Sequence, residues 1–399
     1  MAQKEALLFL CHRIPFPPNK GDKIRSFNVL KALSEHYDIY LGTFVDDPYD
    51  WQYAETLNDF CTEVCLLGQN KLWCKIKGLT SLLTGKSISE PYYYDRKMAR
   101  WVDDVVRSKG IKKVFVFSSP MAQYINHYSA EQLTSVVDFV DVDSDKWRQY
   151  AEGKTGLSRW VYAREQRKLL AFEIATTARA SHAIFVSPQE AALFQGLIPQ
   201  HLRDKVHGVL NGVDTTFFDP QAKFGERPLA PVEVVFTGAM DYWANVDAVL
   251  WFVRHVWPRV RETHPEALFT VVGGNPSTEI EALDGYDGIT VTGRVKDIRP
   301  YIANAKVVVA PLQIARGIQN KVLEGMSLEK PVVATSMADE GIESGCEHVR
   351  VEDTPDGFAE AVRGYLDNPV TATENRAWIM QHLQWSQTLS VLPEWIGTD

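Results

Sequence analysis

The stretch KVVVAPLQIARGIQNKVLEGMSLEKPVVAT, residues 306–335, decides the fold class of this chain. It begins and ends with runs of β-branched residues, KVVVAP at 306–311 and PVVAT at 331–335, which are typical of buried strands. Between them lies a short helix-like segment with Lys321 and Glu324 among apolar neighbours. A strand, helix and strand in this order predict two parallel strands joined by a crossover helix.

The same alternation of short apolar runs and amphipathic segments extends along most of the chain, in two halves. It predicts an α/β protein made of two Rossmann-like domains. The predicted strands are 6–11, 39–44, 114–117, 135–142, 182–187, 232–238, 268–274, 289–293, 306–311 and 331–335. The segment at 206–231 is rich in Gly, Pro and Asp and is predicted to contain the domain boundary.

The composition is that of a soluble globular protein, with 399 residues, 45% hydrophobic residues and 23% charged residues. The formal net charge of -9 argues against a nucleic-acid-binding protein, because phosphate binding needs a clustered positive surface. The cysteines form no CxxC pair, so neither a zinc site nor a disulfide framework is predicted. No segment approaches the ~20 apolar residues that span a bilayer, and a cytoplasmic location is expected.

Four segments carry a resemblance to a known family: NGVD (211–214), FTGAMDYWANVDAVLWF (236–252), VTGRVKDIRPYIANAKVVVAPL (291–312) and NKVLEGMSLEKPVVAT (320–335). Through them the chain resembles glycosyltransferase family 4, whose GT-B fold has two Rossmann-like domains facing a central cleft. Two further segments are similar to the bacterial sugar transferases of exopolysaccharide and PEP-CTERM clusters: HRIPFPPNKGDKIRSFNVLKAL (12–33) and DFVDVDSDKWRQYA (138–151).

The resemblance implies a glycosyltransferase that moves a sugar from a nucleotide-diphosphate donor to a glycan or lipid-linked glycan in exopolysaccharide or surface polysaccharide biosynthesis. It implies a retaining reaction without a metal or other cofactor, since the nucleotide sugar is a substrate. The domains would be an acceptor-side domain at 1–212, a nucleotide-sugar-binding domain at 213–377 and a helical segment at 378–399 that packs across both. Two alternatives stay open: a GT-B nucleotide-sugar epimerase, and a sugar-nucleotide-binding protein without activity.

Lys321 and Glu324 lie three residues apart and share one face of the predicted helix. The resemblance implies that Lys321 contacts the donor diphosphate as a catalytic residue and that Glu324 binds the ribose. Arg316 stands where the family has a first Glu, and the Arg and Lys that many members carry after the first strand of this domain are absent from Gly238 to Ala244. Arg316 is therefore predicted to stabilise the diphosphate together with Lys321. The alternatives are a surface ion pair of Lys321 with Glu324 and a solvated Arg316.

Further donor contacts are predicted in both halves. In the second half the resemblance assigns them to Gly238, Gly273, Gly293, Arg294, Val295 and Asn320. In the first half, PFPPNKGDKIR (15–25) places Gly21 before a helix, where a glycine lets the backbone approach a ligand. The resemblance implies that Gly21, Lys23 and Arg25 contact the donor. The alternative is a tight turn with an exposed basic helix start.

In the run VVDFVDVDSDKW (136–147), Asp138, Asp141 and Asp143 alternate with apolar residues, which places them on one strand face. Many members of the family have a catalytic-side His followed by Asp near this point, where this chain has Val140 and then Asp141. Asp141 is therefore the predicted catalytic residue of this half. Asp141 and Asp143 formally make a DxD motif, but no metal site is predicted because they lie away from the donor motif. The carboxylates either meet the acceptor or cap the next helix.

The segment NKLWCKIKGLTSLLTGK (70–86) combines basic and apolar residues. They are Lys71, Lys75, Lys77 and Lys86, with Leu72, Trp73, Ile76, Leu79, Leu82 and Leu83. Such a basic amphipathic stretch predicts contact with an anionic membrane and a lipid-linked acceptor, which would hold the protein on the inner face of the plasma membrane. The alternative is a helix packed on its own domain, with lysines that extend to solvent.

Overall fold

The computed structural model describes residues 4–18, 21–224, 231, 233–315 and 317–397. The strands of these residues are β1 (Glu5–Cys11), β2 (Tyr37–Val45), β3 (Glu63–Gly68), β4 (Lys113–Phe117), β5 (Thr134–Val140), β6 (His182–Phe185), β7 (Val206–Gly208), β8 (Val234–Thr237), β9 (Phe269–Val272), β10 (Ile289–Val291), β11 (Val307–Ala310), β12 (Val332–Ala334) and β13 (Val349–Val351). The pairings between these strands are parallel.

The helices lie between the strands and after the last of them. They are α1 (Gly21–Ser34), α2 (Lys71–Thr84), α3 (Ser89–Tyr92), α4 (Arg96–Lys109), α5 (Asp143–Glu152), α6 (Gly156–Arg179), α7 (Pro188–Leu197), α8 (Trp243–Trp251), α9 (Trp257–Thr263), α10 (Thr278–Glu281), α11 (Arg299–Asn304), α12 (Asn320–Ser327), α13 (Ser336–Asp339), α14 (Pro355–Asp367), α15 (Thr373–His382), α16 (Trp385–Thr388) and α17 (Leu392–Ile396). Short 3₁₀ helices span Pro48–Tyr53, Glu55–Asp59, Ser119–Tyr124 and Gln200–Lys205, and a π-helical turn spans Phe252–Val256.

The strands form two sheets with related topology. Their strand orders are β3-β2-β1-β4-β5-β6-β7 and β10-β9-β8-β11-β12-β13. Each order reverses once, between β1 and β4 in the first sheet and between β8 and β11 in the second, as in Rossmann-like domains. The predicted α/β fold with two Rossmann-like domains is confirmed.

Three strands were not predicted: β3, β7 and β13. Each lies at the edge of its sheet, where a strand has one partner only. The residues of β3 are half-buried or exposed, and β7 and β13 have only three residues each. Such strands lack the continuous apolar run that marks the central strands of a parallel sheet.

The chain divides into two compact units, residues 1–210 with 389–399 and residues 211–388. The C-terminal segment at 378–399 is thus shared between the units, and the last residues belong to the first one. Among the described residues, no helix has both the length and the apolar character needed to cross a membrane.

Helix α17 lies against the amino ends of β6 and β7 through three aromatic rings. Trp395 stacks on His182 and His207, with ring centroids 4.9 and 4.6 Å away. The two imidazoles also bond to each other, with 3.1 Å between His182 Nδ1 and His207 Nε2. Burial lowers the pKa of His207, and burial together with the charge of His207 lowers that of His182.

We expect the first unit to lose stability as the pH falls below about 6.5, the ordinary histidine value. Because the pKa of both rings is lower in the folded state, the unfolded chain takes up protons at a higher pH than the folded state does, so protonation favours unfolding. The measurement is the free energy of unfolding from pH 7.5 to 5.5. His207→Phe, which keeps a ring against Trp395, should show a shallower pH dependence. Equal dependence in the two proteins would contradict the prediction.

Candidate active site

The carboxyl ends of β8 and β11 meet where the order of the second sheet reverses. Ligands of open parallel sheets bind in the crevice at such a point. Gly238 and then α8 follow β8, and a loop and then α12 follow β11. The first turns of α8 and α12 therefore come together at this edge, and each contributes a polar side chain.

Lys321 lies in the first turn of α12 and is buried. Its Nζ donates to Asn245 Oδ1 at 3.1 Å and lies 5.1 Å from the centroid of the Phe236 ring. Burial lowers the pKa of Lys321 to about 8, against the opposing charge of Glu324. Because a buried ammonium with one neutral acceptor is stabilised by an added anion, this geometry suits a phosphate-bearing ligand.

Glu324 lies one turn further along α12 and is also buried. Burial raises its pKa to about 7, and the charge of Lys321 opposes this shift. No hydrogen-bond donor among the described residues reaches this carboxylate, and the Lys321 ammonium donates to Asn245 instead. The surface ion pair considered from the sequence is therefore wrong. Within the described part of the chain, the carboxylate can therefore accept from hydroxyl donors of a ligand.

The start of α12 adds further polar groups. Asn320 is its first residue, and Asn320 Oδ1 is buried without a hydrogen-bond partner among the described residues. Gln319 stands at the N-cap, and its side chain does not cap the helix. The first-turn N–H groups and the helix dipole favour an anion at this end. Arg316, the predicted second cation, lies outside the described residues, so its role stays a prediction.

Two predicted glycines are required by close packing behind Lys321. A Cβ on Gly273 would lie 1.7 Å from the carbonyl oxygen of Gly238, and a Cβ on Gly238 would lie 2.6 Å from Asn245 Nδ2. Both distances are shorter than any van der Waals contact, so the loops after β8 and β9 approach this closely only with glycine. Asn245 Nδ2 also donates to the Ala239 carbonyl at 3.0 Å, which directs Oδ1 toward Lys321.

Asn245 is a site residue that the sequence analysis missed. It is buried in the first turn of α8, in the otherwise largely apolar segment WANVDAVLW at 243–251. A buried amide needs hydrogen-bond partners, so an Asn in this helix was the available signal. Its partner Lys321 is 76 residues away in the chain, and only the fold brings them together.

The predicted donor contacts at Gly293, Arg294 and Val295 follow β10. Gly293 has a φ of 64°, in the left-handed region that favours glycine. Arg294 comes next, and its Cβ would lie 3.5 Å from a Cβ on Gly274. The structure thus places Arg294 beside the glycine loop after β9, and Val295 is half-buried next to it. Their contact with a nucleotide stays a prediction.

In the first unit, α1 carries Lys23 and Arg25 inward. Lys23 Nζ donates to Asp50 Oδ2 at 2.6 Å, and Arg25 Nε donates to Asp138 Oδ2 at 2.7 Å. Both pairs are buried, so the exposed basic helix start considered from the sequence is wrong. Gly21 is exposed, and a Cβ there would meet nothing within 4 Å. The structure gives Lys23 and Arg25 protein partners, and their donor contacts stay predictions.

Strand β5 ends at Val140, two residues earlier than predicted. Val140 has a φ of 69°, and its N–H donates to Asp138 Oδ1 at 2.9 Å. This conformation ends the strand before Asp141, so the prediction that Asp138, Asp141 and Asp143 share one strand face is wrong. Asp138 instead points into the core of the unit.

Asp141 and Asp143 hold a lysine between them. Lys146 Nζ donates to Asp141 Oδ2 at 2.8 Å and to Asp143 Oδ1 at 3.1 Å. Val142 is the N-cap of α5, so neither carboxylate caps that helix. Across the described ranges, no group of three or more His, Cys, Asp or Glu side chains is placed to hold a metal ion. The catalytic role of Asp141 stays a prediction.

A polar network at the carboxyl ends of β1 and β2 was also missed. Asp22 Oδ2 accepts from Arg13 Nη1 at 2.6 Å and lies 3.5 Å from His12 Nε2, and Arg13 Nε lies 3.0 Å from Asp46 Oδ1. His12 stacks on Phe117 at the end of β4, where the order of the first sheet reverses. Burial acts to lower the pKa of His12, but the Asp22 carboxylate raises it to about 9. A histidine directly after the first strand was the available signal.

The second unit matches a known family. Residues 231–368 match the family model of the glycosyl transferases group 1. No curated protein sequence matches the chain. The match covers most of the second unit, which spans residues 211–388.

Solved structures of glycosyltransferases share the fold of the whole chain. HepE from Anabaena, determined in complex with UDP and glucose, has a TM-score of 0.66 and 14% identity over 98% of each chain. Sucrose-phosphate synthase from Thermosynechococcus elongatus has a TM-score of 0.66 and 14% identity, again over 98% of each chain. WaaG, a glycosyltransferase involved in lipopolysaccharide biosynthesis, has a TM-score of 0.64 and 16% identity over 98% of this chain and 100% of WaaG. The predicted GT-B fold is confirmed, and the group 1 domain supports the assignment of the protein as a transferase.

Proposed function

We propose that the protein is a glycosyltransferase that moves a sugar from a nucleotide-diphosphate donor to a glycan or lipid-linked glycan. One observation carries the proposal: among the described residues, the buried Lys321 ammonium of α12 has one neutral acceptor, and no donor reaches the buried Glu324 carboxylate beside it. A diphosphate supplies an anion for Lys321, and vicinal ribose hydroxyls supply hydrogen-bond donors for Glu324. A single nucleotide therefore satisfies both groups.

In the proposed reaction, negative charge develops on the diphosphate as its bond to the anomeric carbon breaks. Lys321 stabilises this charge, and Arg316 adds a second cation. The leaving diphosphate oxygen takes the proton of the acceptor hydroxyl, whose oxygen then bonds to the anomeric carbon on the same face. The configuration is retained without a protein nucleophile, and no metal ion or other cofactor takes part.

The acceptor is proposed to bind at the carboxyl edge of the first sheet, near Asp141 and the His12 network. The resemblance to family 4 and to the transferases of exopolysaccharide and PEP-CTERM clusters supports a role in exopolysaccharide or surface polysaccharide biosynthesis. The proposed location is the cytoplasm, at the inner face of the plasma membrane, where the protein meets such lipid-linked acceptors. HepE has been determined with UDP-glucose, so UDP-glucose is the first donor to test.

We expect one nucleotide sugar of a panel to raise the unfolding temperature and Glu324→Gln to weaken its binding about 10- to 150-fold. The physical reason is the loss of a charged acceptor, a hydrogen-bond contribution of roughly 1.5–3 kcal/mol. Calorimetry measures the affinity. Because Glu324 ionises through about pH 7, the difference between the two proteins should grow from pH 6 to pH 8.

The control is Glu262→Gln, an exposed glutamate of the same unit, which should bind as the native protein does. Equal affinity of the native protein and Glu324→Gln would remove Glu324 from the site. Product analysis then separates the functions: a glycosylated acceptor supports the transferase, an isomerised donor indicates an epimerase, and binding without turnover indicates a protein without activity.

A further inference from the structure

Three large apolar residues of α2 point away from the unit that carries the helix. Leu72, Trp73 and Ile76 are 71%, 58% and 48% exposed. The residues of the opposite face are buried: Cys74, Gly78 and Ser81. This part of α2 thus packs on its own unit through one face and leaves Leu72, Trp73 and Ile76 toward solvent. The side chains of Leu79, Leu82 and Leu83 lie outside the described part of the structure.

Lysines border this exposed apolar face. At 100° per residue, Lys75 and Lys77 lie on either side of the face made by positions 72, 73 and 76. Lys77 Nζ donates to the Tyr94 carbonyl at 2.8 Å, which holds it beside the helix. Lys71 Nζ lies 3.5 Å from Asp46 Oδ2, directly after β2. The face therefore begins at the carboxyl edge of the first sheet.

A second exposed apolar pair lies at the start of α6. Leu157 and Trp160 are 77% and 54% exposed. This part of α6 pairs with α5, since the rings of Trp147 and Tyr162 are 5.3 Å apart. The pair therefore lies near the tip of the hairpin that α5 and α6 form.

The exposed apolar residues of α2 and those of α6 lie near a contact between the two helices. Arg164 Nη2 donates to the Ser81 carbonyl at 2.7 Å and to the Lys86 carbonyl at 3.2 Å, which joins α6 to the end of α2. Trp160 precedes Arg164 by about one helical turn and lies on the same face of α6. Ile76 lies roughly 7.5 Å before Ser81 along α2, on the outward face of that helix, whereas Ser81 is on the buried face. Both helices thus present tryptophan and aliphatic side chains close to the point where they meet.

Positive charge is concentrated on these two segments. Residues 70–88 and 153–168 contain nine Lys and Arg and a single acidic residue, in a chain with a formal net charge of -9. The acidic residue, Glu165, is buried and accepts from the Ile88 N–H at 2.8 Å. Lys71 and Lys86 lie 3.5 and 3.9 Å from Asp46 and Glu90, so part of this charge is paired. The two segments still combine exposed apolar side chains with an excess of positive charge, which is complementary to anionic lipid.

We propose that these residues form a docking surface for an anionic lipid membrane, with the lipid facing Leu72, Trp73, Ile76, Leu157 and Trp160. Tryptophans sit at the headgroup level and lysines bind anionic headgroups, so both features of the surface are used. As a route to a lipid-linked acceptor, the proposal rests on the proposed function. Because Lys71 contacts Asp46, the membrane lies next to the carboxyl edge of the first sheet.

The test is co-sedimentation of the full chain with vesicles of phosphatidylglycerol and phosphatidylcholine, compared with phosphatidylcholine alone. We expect binding to the anionic vesicles only, weakened by salt. Lys71→Gln, Lys75→Gln and Lys77→Gln together should lower the affinity roughly 100-fold, about five-fold for each lysine. The apolar residues are replaced in two groups, residues 72, 73 and 76 or residues 157 and 160. Each group replacement should lower the affinity for the anionic vesicles more than ten-fold.

The matched control is Tyr286→Ser, which removes an exposed aromatic residue of the second unit and should bind as the native protein does. Brominated lipid should quench native tryptophan fluorescence, and Trp73→Leu with Trp160→Leu should remove that quenching. Absence of vesicle binding, equal binding to neutral vesicles, or equal binding by the group variants would overturn the proposal and favour a protein partner. Nucleotide-sugar affinity and transfer to a soluble acceptor, measured without vesicles, report on the proposed function separately.

Discussion

Replacement of Lys321 by Met is expected to lower the turnover number about 10²–10³-fold, the scale known for removing one group that stabilises developing charge. The affinity for the donor should change less, because the ammonium acts most strongly as negative charge grows on the leaving diphosphate. The fold should persist, since Met fills the buried position over the Phe236 ring without a charge. Steady-state kinetics with separate kcat and KM values is the measurement.

Lys330→Met is the matched control for Lys321→Met. Lys330 belongs to the same unit, and burial lowers its pKa too, but no site role is assigned to it. It should keep native turnover. A Lys321→Met protein that turns over within a few-fold of the native rate would remove Lys321 from the reaction.

The role of Lys321 also predicts a pH dependence of nucleotide affinity. Lys321 loses its charge as the pH rises through about 8, so nucleotide affinity should fall above that pH. Lys321→Arg keeps its charge at all these pH values and should show a flatter profile. Parallel profiles of the two proteins would mean that the titrating group lies elsewhere.

Arg25→Met is expected to lower the free energy of unfolding of the first unit by about 3–5 kcal/mol, because it leaves the buried Asp138 carboxylate without its cation. Arg25 Nε donates to Asp138 Oδ2 at 2.7 Å and Nη1 donates to the Val209 carbonyl at 2.9 Å, with both side chains almost fully enclosed. Denaturant unfolding measures the loss. Lys112→Met, at an exposed lysine of the same unit, should change stability by less than about 0.5 kcal/mol.

The double variant Arg25→Met with Asp138→Leu separates a structural role from donor binding. Replacing a buried ion pair by apolar residues is often neutral, so the double variant should recover much of the lost stability. Native stability in Arg25→Met with weakened nucleotide binding would instead show that Arg25 contacts the donor, as the resemblance implies.

The sequence by itself determined the fold class. Continuous β-branched runs such as KVVVAP (306–311) have to be buried on both faces, and helix-length segments between them have to cover those faces. This local pattern predicts central parallel strands and a doubled Rossmann-like arrangement. It does not predict the edge strands β3, β7 and β13, because an edge strand is short or half-exposed and leaves little periodicity to detect.

Part of the candidate site was also readable. Lys321 and Glu324 lie close in sequence, so the spacing alone places them on one helix face. Their burial was not readable, and neither was the hydrogen bond from Lys321 to Asn245, which depends on α8 and α12 following neighbouring strands. The His12 network depends in the same way on β1, β2 and β4 ending at one edge.

Only the tertiary structure decided which charges are internal and which apolar residues are external. Arg25 and Asp138 are 113 positions apart, and strand order alone brings the guanidinium to the carboxylate. In α2, composition predicts an amphipathic helix but does not state which face lies against the protein. The face that packs is set by the surface against which the helix lies. In this protein that packing leaves Leu72 and Trp73 exposed to solvent. Local pattern sets the elements, whereas long-range packing sets the direction in which each side chain points.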